Sequence, residues 1–462
     1  MAKDFIVAVE LGSSKITGIA GKKNPDGSIN ILAVAKEDSR VCMRRGTVYN
    51  IDKTAQALTN IVNKLKAPLQ ADIARVYVGV GGQSLRGVKN TVVKEFAVDT
   101  VITQQIVNEV MDANRSCDYN DYEVLDAITQ EYKVGMQEEL EPVGVQTRRI
   151  EGNFLNLLWR KTFNRSLNKC FDTAGITIEE MYVTPLLLGD EILTEAEKRA
   201  GCLLVDLGAE TTTIAVYTRG ILRHLSVLPL GSDNITKDLE SIPMEEREAE
   251  TMKLKYASAY TDAAEIDPSR RWAIDKNRSV SSAQFIEVVE ARVREIIENV
   301  WYQVSTEYGD SLLGGIILTG GGSNMQNIEE AFRRHTKVDK VRIAKFLPIN
   351  MYPETAKITL GNDGTANGVM SILLRGEMNC AGKEFSQTLF DDEDDAEQEK
   401  EEDTTAKPGS RTADDTKGSK KEEVPEDDAE ENETGKKPKS RGFFGRIKEQ
   451  VKGFGKAIIE EE

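Results

Sequence analysis

Two stretches of the chain share one pattern of apolar and polar positions. Residues 5–21, FIVAVELGSSKITGIAG, form an apolar run that ends in a carboxylate, turns through Gly and small hydroxyl residues, and resumes as a second apolar run. Residues 202–217, CLLVDLGAETTTIAVY, repeat this order at an offset of 196 residues. Apolar runs joined by a short Gly-containing turn predict β-hairpins. The repeat therefore predicts two related lobes, although short hairpins also converge by chance.

Two further segments predict helices near the second hairpin. Residues 314–332, GGIILTGGGSNMQNIEEAF, predict a strand, a bend at the triple Gly and an amphipathic helix capped near Ser323 or Asn324. Residues 282–309 predict one long helix. Its apolar face is formed by Phe285, Val288, Val289, Val293, Ile296, Ile297 and Val300. The opposite face alternates Glu and Arg, which is typical of a solvated helix surface.

The last part of the chain has an amphipathic pattern of its own. Apolar residues recur every three or four positions, which predicts a helix over residues 441–459. The apolar stripe consists of Phe444, Ile447, Val451, Phe454 and Ile458 with Phe443 beside it, and the basic residues include Arg446, Lys448 and Lys452. This pattern is typical of a helix that lies in a membrane interface with its cations toward anionic lipids. Docking on a partner protein and packing back on the chain's own body are the alternatives.

The segment before this helix is strongly acidic. Residues 383–440 contain 21 Asp and Glu against 10 Lys and Arg, so they contribute −11 to the net charge of −17. Aromatic and branched apolar residues are almost missing from it. Such a composition cannot bury enough surface to offset the entropy of ordering. We therefore expect a disordered acidic linker that works as a tether.

Composition limits the classes of protein to which the rest of the chain can belong. A length of 462 residues and 39% hydrophobic content predict more than one folded lobe. The negative charge argues against a nucleic-acid partner. Five scattered cysteines and two histidines make a zinc site improbable and fit reduced thiols. We found no apolar run of about 20 residues and no cleavable leader, so we expect a soluble cytoplasmic body.

The predicted turns suit a phosphate ligand. Gly and Ser leave backbone N–H groups uncovered, so these groups can point at phosphate oxygens. The carboxylate before each turn, Glu10 or Asp206, can hold Mg²⁺ through water. Two such turns facing each other across a cleft would bind a triphosphate from both sides. The triple Gly would let a purine approach the backbone closely.

These motifs resemble the actin-like ATPase superfamily of actin, Hsp70 chaperones and sugar kinases. The resemblance implies an α/β fold of two ribonuclease H-like lobes, with ATP and Mg²⁺ as cofactors. It assigns VELGSSK and VDLGAETTT as phosphate loops, LTGGGSNM as the adenosine motif, and Glu10 and Asp206 to the metal. An E-x-x-K pair in EREAETMKLKYASAY matches a helix that contacts adenosine. The implied nucleotide-binding residues are Gly12, Ser13, Ser14, Lys15, Asp206, Gly208, Thr211, Thr212, Glu250, Lys253, Gly320, Gly321, Gly322 and Asn324.

Residues 84–160 distinguish among members of that superfamily. They predict a compact α+β insert, and VGVGGQSLR, QEYKV and EPVGV follow one another in an order that resembles the insert of the bacterial cell-division family FtsA. We expect the first lobe at residues 1–83 and 161–199 around this insert. We expect the second lobe core at 200–234 and 309–382, its outer subdomain at 235–308, the acidic linker at 383–440 and the membrane-targeting helix at 441–459.

The FtsA resemblance implies a function in cell division. It implies that the outer subdomain docks the C-terminal peptide of the tubulin-like FtsZ through Arg292 and Glu295, and that the bodies polymerise head to tail. The protein would then tether FtsZ to the cytoplasmic face of the inner membrane at the septum and help recruit later division proteins. An actin-fold small-molecule kinase and a pilus-assembly protein of the same fold are the alternatives.

Two departures from the superfamily pattern bear on ATP hydrolysis. Glu10 stands where actin and the kinases have Asp, and Glu210 places a carboxylate in the second phosphate loop. A carboxylate beside phosphates repels them unless it turns outward or pairs through the metal. We identified no catalytic base. We therefore expect ATP binding with weak or no turnover.

Overall fold

The computed structural model describes residues 4–355 and 358–384. The strands are β1 (Ile6–Leu11), β2 (Lys15–Lys23), β3 (Ile29–Asp38), β4 (Met43–Arg44), β5 (Thr47–Val48), β6 (Ala71–Ile73), β7 (Arg75–Val80), β8 (Arg86–Val101), β9 (Tyr122–Val134), β10 (Gln137–Glu139), β11 (Gln146–Arg160), β12 (Thr177–Val183), β13 (Cys202–Leu207), β14 (Thr212–Thr218), β15 (Ile221–Leu228), β16 (Arg271–Ala273), β17 (Ser279–Ser281), β18 (Gly315–Thr319), β19 (Val341–Ile343), β20 (Met351–Pro353) and β21 (Ala381–Glu384). The helices are α1 (Ile51–Leu69), α2 (Gln104–Arg115), α3 (Lys161–Ala174), α4 (Thr184–Ile192), α5 (Glu195–Ala200), α6 (Ser232–Leu239), α7 (Glu246–Tyr256), α8 (Ser282–Tyr308), α9 (Ile328–Thr336) and α10 (Asn367–Arg375).

Each lobe is built around one mixed sheet, and the two sheets have the same plan. The first sheet has the order β12-β7-β1-β2-β3-β20 and the second has the order β15-β14-β13-β18-β19. In the first, β1 pairs antiparallel with β2 and parallel with β7. In the second, β13 pairs antiparallel with β14 and parallel with β18. Both predicted hairpins are confirmed, and the two sheets share one pattern of strand pairing around them.

The two hairpins also share their register. Glu10 lies opposite Thr17 on β2, and Asp206 lies opposite Thr213 on β14. These are the same positions at the offset found in the sequence. The central strands β1 and β13 are almost entirely buried, because helices cover the sheets and leave only the residues near the turns accessible. The turns that follow β1 and β13 are therefore held by rigid, buried strands.

The insert is a four-stranded antiparallel sheet in the order β10-β9-β11-β8 with α2 against it. The predicted succession of strand, helix and strands is confirmed. A small core of its own is formed by Ile102, Val110, Tyr132, Val134, Ile150 and Phe154. The insert also contacts the second lobe: Glu131 lies 3.0 Å from Arg223 Nη1, and Gln130 Nε2 donates to Leu222 O at 3.0 Å. It therefore bridges the two lobes.

The long helix predicted in the outer subdomain of the second lobe is α8. Its predicted apolar face is buried against the core of that lobe, with Val288 only partly buried. On the charged face, Arg292 lies partly buried and its guanidinium forms two contacts with Asp238 of α6, at 2.5 and 2.9 Å. Glu295 is exposed and also contacts Arg292. One arginine of this face therefore ties two helices together instead of lying wholly in solvent.

Beyond α10 the chain returns to the first lobe. β21 pairs antiparallel with β6, so ordered backbone extends two residues past Gly382. The rest of the predicted linker, residues 385–440, and the predicted helix at 441–459 lie outside the described residues. Within the described ranges, no helix is both long and apolar enough to cross a membrane.

Candidate functional site

A cavity of about 690 Å³ lies between the two lobes, at the ends of β1, β13 and β18. It is lined by both hairpin turns, the triple-Gly bend and one face of α7. Its lining includes the predicted residues Glu10, Gly12, Ser13, Ser14, Lys15, Asp206, Gly208, Thr211, Glu250, Lys253, Gly320, Gly321, Gly322 and Asn324. Four segments that are far apart in the sequence therefore meet at one site.

The two hairpin turns have one hydrogen-bond geometry. Gly12 N–H donates to Lys15 O at 3.0 Å, and Gly208 N–H donates to Thr211 O at 2.9 Å. A Cβ atom at Gly12 would lie 2.8 Å from Lys15 O, and one at Gly208 would lie 2.7 Å from Thr211 O. Because neither turn has room for a side chain there, both keep a Gly at their first position.

Two carboxylates lie on the floor of the cavity. Burial and the negative charge of Asp206 raise the pKa of Glu10 to about 7, against the opposing effects of Lys15 and the Val369 N–H group. Burial raises the pKa of Asp206 to about 6. Both groups would ionise more readily beside a cation. Within residues 4–355 and 358–384, no cluster of three or more metal-ligating side chains occurs.

Lys15 supplies positive charge beside these carboxylates. Burial and the charge of Lys36 lower the pKa of Lys15, while Glu10 and Asp363 act in the opposite direction. Sequence reasoning missed Asp363, which belongs to a loop that also lines the cavity. Asn324 Nδ2 donates to the backbone oxygen of Asp363 at 2.6 Å. This bond joins the triple-Gly bend to the loop before α10.

The E-x-x-K pair on α7 is not an ordinary surface pair. Lys253 Nζ lies 2.7 Å from Glu250 Oε2, and the lysine side chain is only 6% exposed. Lys253 Nζ also donates to Thr236 Oγ1 at 2.8 Å and to Ser232 O at 3.1 Å. The pair thus fixes α7 against α6. The adjacent Leu254 lines the cavity and is 78% exposed, which provides an apolar surface.

The triple-Gly bend differs in one respect from the prediction. A 3-10 helix spans Gly321–Asn324, and α9 begins only at Ile328, after Asn327 in the left-handed conformation. The helix start predicted near Ser323 or Asn324 is therefore wrong. Ser323 Oγ donates to Gly320 O at 2.7 Å, so its hydroxyl closes the bend instead of capping α9. Local hydrogen bonding of this kind competes with helix capping.

Some predicted residues lie away from the cavity. Thr212 is buried and its hydroxyl donates to Leu230 O at 2.8 Å, so the structure places it behind the second turn. Arg292 and Glu295 lie on α8, outside the lining. Sequence reasoning also missed cavity residues that include Arg40, Thr184, Ser232, Asp233, Thr365 and Gly368. The run Gly-Ser-Asp at the start of α6 is a helix-start signal that points to two of them.

Comparisons with known proteins agree with this architecture. The family profile "Cell division protein FtsA" matches residues 203–358, and the profile "SHS2 domain inserted in FTSA" matches residues 82–158. The cell division protein FtsA of Porphyromonas gingivalis is 30% identical over 334 residues, which cover 71% of this chain and 70% of the relative. The chain belongs to the FtsA family. Membership in this family assigns it to cell division.

Other FtsA proteins and one solved structure extend the comparison. The FtsA of Neisseria meningitidis is 31% identical over 71% of this chain and 80% of its own length, and that of Escherichia coli K12 is 26% identical over 73% and 83%. A structure described as the "PilM-PilN type IV pilus biogenesis complex" matches with a TM-score of 0.57 at 14% identity, over 80% of this chain and 98% of that one. The FtsA-family chain thus has the predicted actin-like, two-lobed ATPase fold.

Proposed function

We propose that the cleft binds ATP with Mg²⁺ and that this binding regulates assembly of the protein. The observation that supports the proposal is the convergence of two equivalent Gly turns, two carboxylates and a triple-Gly bend on one cavity. Backbone N–H groups of such turns suit phosphate oxygens, and the bend suits a flat base. A cavity of about 690 Å³ is large enough for a nucleotide.

The proposed roles follow from the position of each group. Lys15 neutralises phosphate charge, and Glu10 and Asp206 hold the waters of the metal ion. The metal would supply charge neutralisation between the phosphate oxygens. Leu254 and the Gly320–Gly322 bend contact the nucleoside, while the Glu250–Lys253 pair keeps α7 in place beside it.

The same arrangement favours slow turnover. Efficient hydrolysis needs a positioned base that is free to accept a proton. In the proposed site Glu10 and Asp206 are occupied by the metal's waters, and Glu250 accepts hydrogen bonds from Thr236 and Lys253. We therefore propose a nucleotide-regulated assembly protein. Sustained phosphate release at many turnovers per second would contradict this part of the proposal.

Titration of the full chain with a fluorescent ATP analogue, with and without Mg²⁺, tests nucleotide binding. We expect saturable binding that requires Mg²⁺ and that Lys15→Glu abolishes. Lys276→Glu is the matched control, since Lys276 is an exposed lysine outside the cavity lining. Equal binding by both variants would refute the assignment of the phosphate end.

We further propose that the outer subdomain docks the C-terminal peptide of FtsZ through the exposed side of α8. The support is the family assignment together with the contact between the exposed Glu295 and the partly buried Arg292. A pull-down with the FtsZ peptide tests this. Glu295→Lys, at the exposed member of the pair, should abolish capture, whereas Glu298→Lys, an exposed neighbour on the same helix, should not. Preference for a pilus-system peptide would instead favour the pilus-assembly alternative.

The membrane part of the proposal rests on sequence alone. We propose that residues 441–459 lie on anionic inner-membrane lipids at the septum, and that head-to-tail polymers make many weak anchors act together to hold FtsZ there and recruit later division proteins. Co-sedimentation with anionic vesicles tests it. A chain truncated after Glu384 keeps β21 paired with β6 and should lose binding, as should Phe444→Glu in the full chain. Undiminished binding by either variant would overturn the tether.

A further inference from the structure

The short hairpin formed by β4 and β5 lies against both phosphate turns. Arg44 pairs with Thr47, so Arg45 and Gly46 form a two-residue tip. Both have positive φ, 50° and 70°, as in a type I′ turn. A turn of this type leaves the N–H groups of its two central residues pointing outward. Positive φ is unfavourable for an arginine, so contacts at the tip must hold it in place.

The two outward N–H groups bind different lobes. Gly46 N–H donates to Ser13 Oγ at 2.8 Å, within the first turn, and this bond is buried. Arg45 N–H donates to Glu210 Oε2 at 2.5 Å, within the second turn. Arg45 and Gly46 therefore connect the two turns through adjacent peptide groups. Arg45 belongs to the first lobe and Glu210 follows β13 in the second, so this contact joins the two lobes.

The tip is closely seated as well as hydrogen-bonded. Gln83 N–H donates to Arg45 O at 2.9 Å. A Cβ atom at Gly46 would lie 2.5 Å from the Cα atom of Gly82. Gly46 and Gly82 both line the cavity, while Arg45 and Glu210 lie outside its lining. The β4–β5 hairpin thus forms one side of the cavity at the phosphate turns. The Glu210 contact holds the hairpin from outside the cavity.

Charged side chains of the two lobes also lie near the hairpin, on either side of the cleft. Burial raises the pKa of Asp233 in the second lobe. The charges of Lys253 in the same lobe and of Arg40 in the first lobe oppose this shift, while the charges of Glu250 and Glu210 add to it. Arg40 lines the cavity beside the hairpin. Opening the lobes would separate Arg40 from Asp233 as well as Arg45 from Glu210. Arg40 therefore adds positive charge from the first lobe on the side of the cleft where Arg45 meets Glu210.

We propose that Glu210 is a positioning residue that closes the cleft: through the Arg45 N–H group it fastens the β4–β5 hairpin across the phosphate turns and slows the loss of bound nucleotide. The inference rests on the proposed nucleotide function and concerns the regulation of that same site. It also gives the carboxylate in the second phosphate loop a function that does not require contact with phosphate. The alternative is that Glu210 repels the phosphates. In that case, removal of its charge would slow the dissociation of nucleotide instead of speeding it.

Dissociation of a fluorescent ATP analogue from the full chain separates the two explanations. Glu210→Ala removes the acceptor and should speed dissociation about tenfold, the effect of losing one charge-assisted hydrogen bond that is partly exposed. Glu210→Gln keeps an acceptor oxygen but loses the charge, so it should speed dissociation by only about threefold. Glu240→Ala, at an exposed position at the end of α6, is the control. Slower dissociation in both Glu210 variants would establish repulsion and overturn the proposal.

A measurement without nucleotide keeps this test independent of the proposed function. Hydrogen–deuterium exchange should show the amides of residues 43–48 protected in the unaltered chain and several-fold less protected in Glu210→Ala. Unchanged protection in Glu210→Ala would overturn the proposal even if ATP binds. Failure of the unaltered chain to bind ATP, with protection lost in Glu210→Ala, would refute the nucleotide function and leave the hairpin contact supported.

Discussion

The first and second hairpin turns have the same backbone but different side chains. In both, the Gly N–H group bonds to the carbonyl three residues later, and the preceding carboxylate faces the cavity. At equivalent positions the first turn has Lys15 where the second has Thr211, and Ser14 where the second has Glu210. The two turns therefore share the backbone hydrogen bond that fixes their shape and differ in the side chains that carry charge. The first turn supplies positive charge, and the second supplies a contact between lobes.

The carboxylates before the two turns differ in the same way. Glu10 reaches the start of α10, where a Cβ atom at Gly368 would lie 2.0 Å from its Oε1 atom. Asp206 lies against the triple-Gly bend, where a Cβ atom at Gly320 would lie 2.2 Å from its Oδ1 atom. The close contacts at Gly368 are all with the end of the Glu10 side chain, whereas those at Gly320 include the backbone of Leu207 as well as Asp206. The second lobe should therefore tolerate less change around its carboxylate.

The largest effect should come from adding a methyl group beside Asp206. Gly320 has φ of 82°, and its added Cβ atom would also lie 2.7 Å from Leu207 O. We expect Gly320→Ala to cost about 3 kcal/mol or more of unfolding free energy and to abolish ATP binding. Gly368→Ala meets only the end of the Glu10 side chain and should cost about 1 kcal/mol. Chemical denaturation and ATP titration measure both effects.

Gly27→Ala provides the control for backbone strain. Gly27 also has φ of 82°, but an added Cβ atom there would have no neighbour within 4 Å. It should therefore cost only the roughly 1 kcal/mol of an unfavourable φ. If Gly320→Ala is no worse than Gly27→Ala, the close fit of the bend against Asp206 is not what constrains this site.

The next effect concerns the charge of the first turn. Lys15→Ala should weaken ATP binding by about 30-fold, because it removes the cation beside the phosphates. Thr211→Ala, at the equivalent position of the second turn, should weaken it by less than about fivefold, since it removes only a neutral hydroxyl. Equilibrium titration of the two variants at one salt concentration measures the difference. Equal losses would show that the two turns contribute alike.

The smallest effect is the dependence of stability on pH. The pKa of Glu10 is about 7 in the folded chain and 4.5 ordinarily, so the folded state binds more protons between these values and stability falls as pH rises through them. Glu10→Gln removes this loss. We expect the free energy of unfolding of the variant to equal that of the unaltered chain near pH 4 and to exceed it by about 1–2 kcal/mol above pH 7. Denaturation midpoints across this range measure it.

Asp206→Asn sharpens the same comparison. The pKa of Asp206 is 3.8 ordinarily and about 6 in the folded chain. Ionisation of Asp206 should therefore lower the free energy of unfolding over this lower pH range. Because the charge of Asp206 also raises the pKa of Glu10, the Asn variant should move the Glu10 transition to lower pH. An unchanged Glu10 transition in Asp206→Asn would mean that the two carboxylates do not interact across the cavity.

Much of the fold could be predicted because its signals are local. The alternation of apolar residues and the Gly positions identified both hairpins, and the spacing of apolar residues identified α8. The start of α9 was misplaced because the Ser323 hydroxyl bonds to Gly320 O, a choice between two local arrangements that the pattern does not distinguish. The burial of Lys253 was also missed, since an E-x-x-K pair looks the same on a solvated helix and a packed one.

The sequence by itself determined the two related hairpins, the insert, the triple-Gly bend and the family. The hairpins and the bend depend on residues within about one element of each other, where backbone geometry sets the pattern. The insert and the family were indicated by the order of motifs along the chain. Only the tertiary structure decided that Thr212 faces Leu230, that the insert bridges the lobes, and that Glu210 turns to Arg45. The physical reason is that the partner of a side chain is a residue brought close by packing, often from far away in the sequence. The local pattern of apolar and polar residues does not indicate which residue that is.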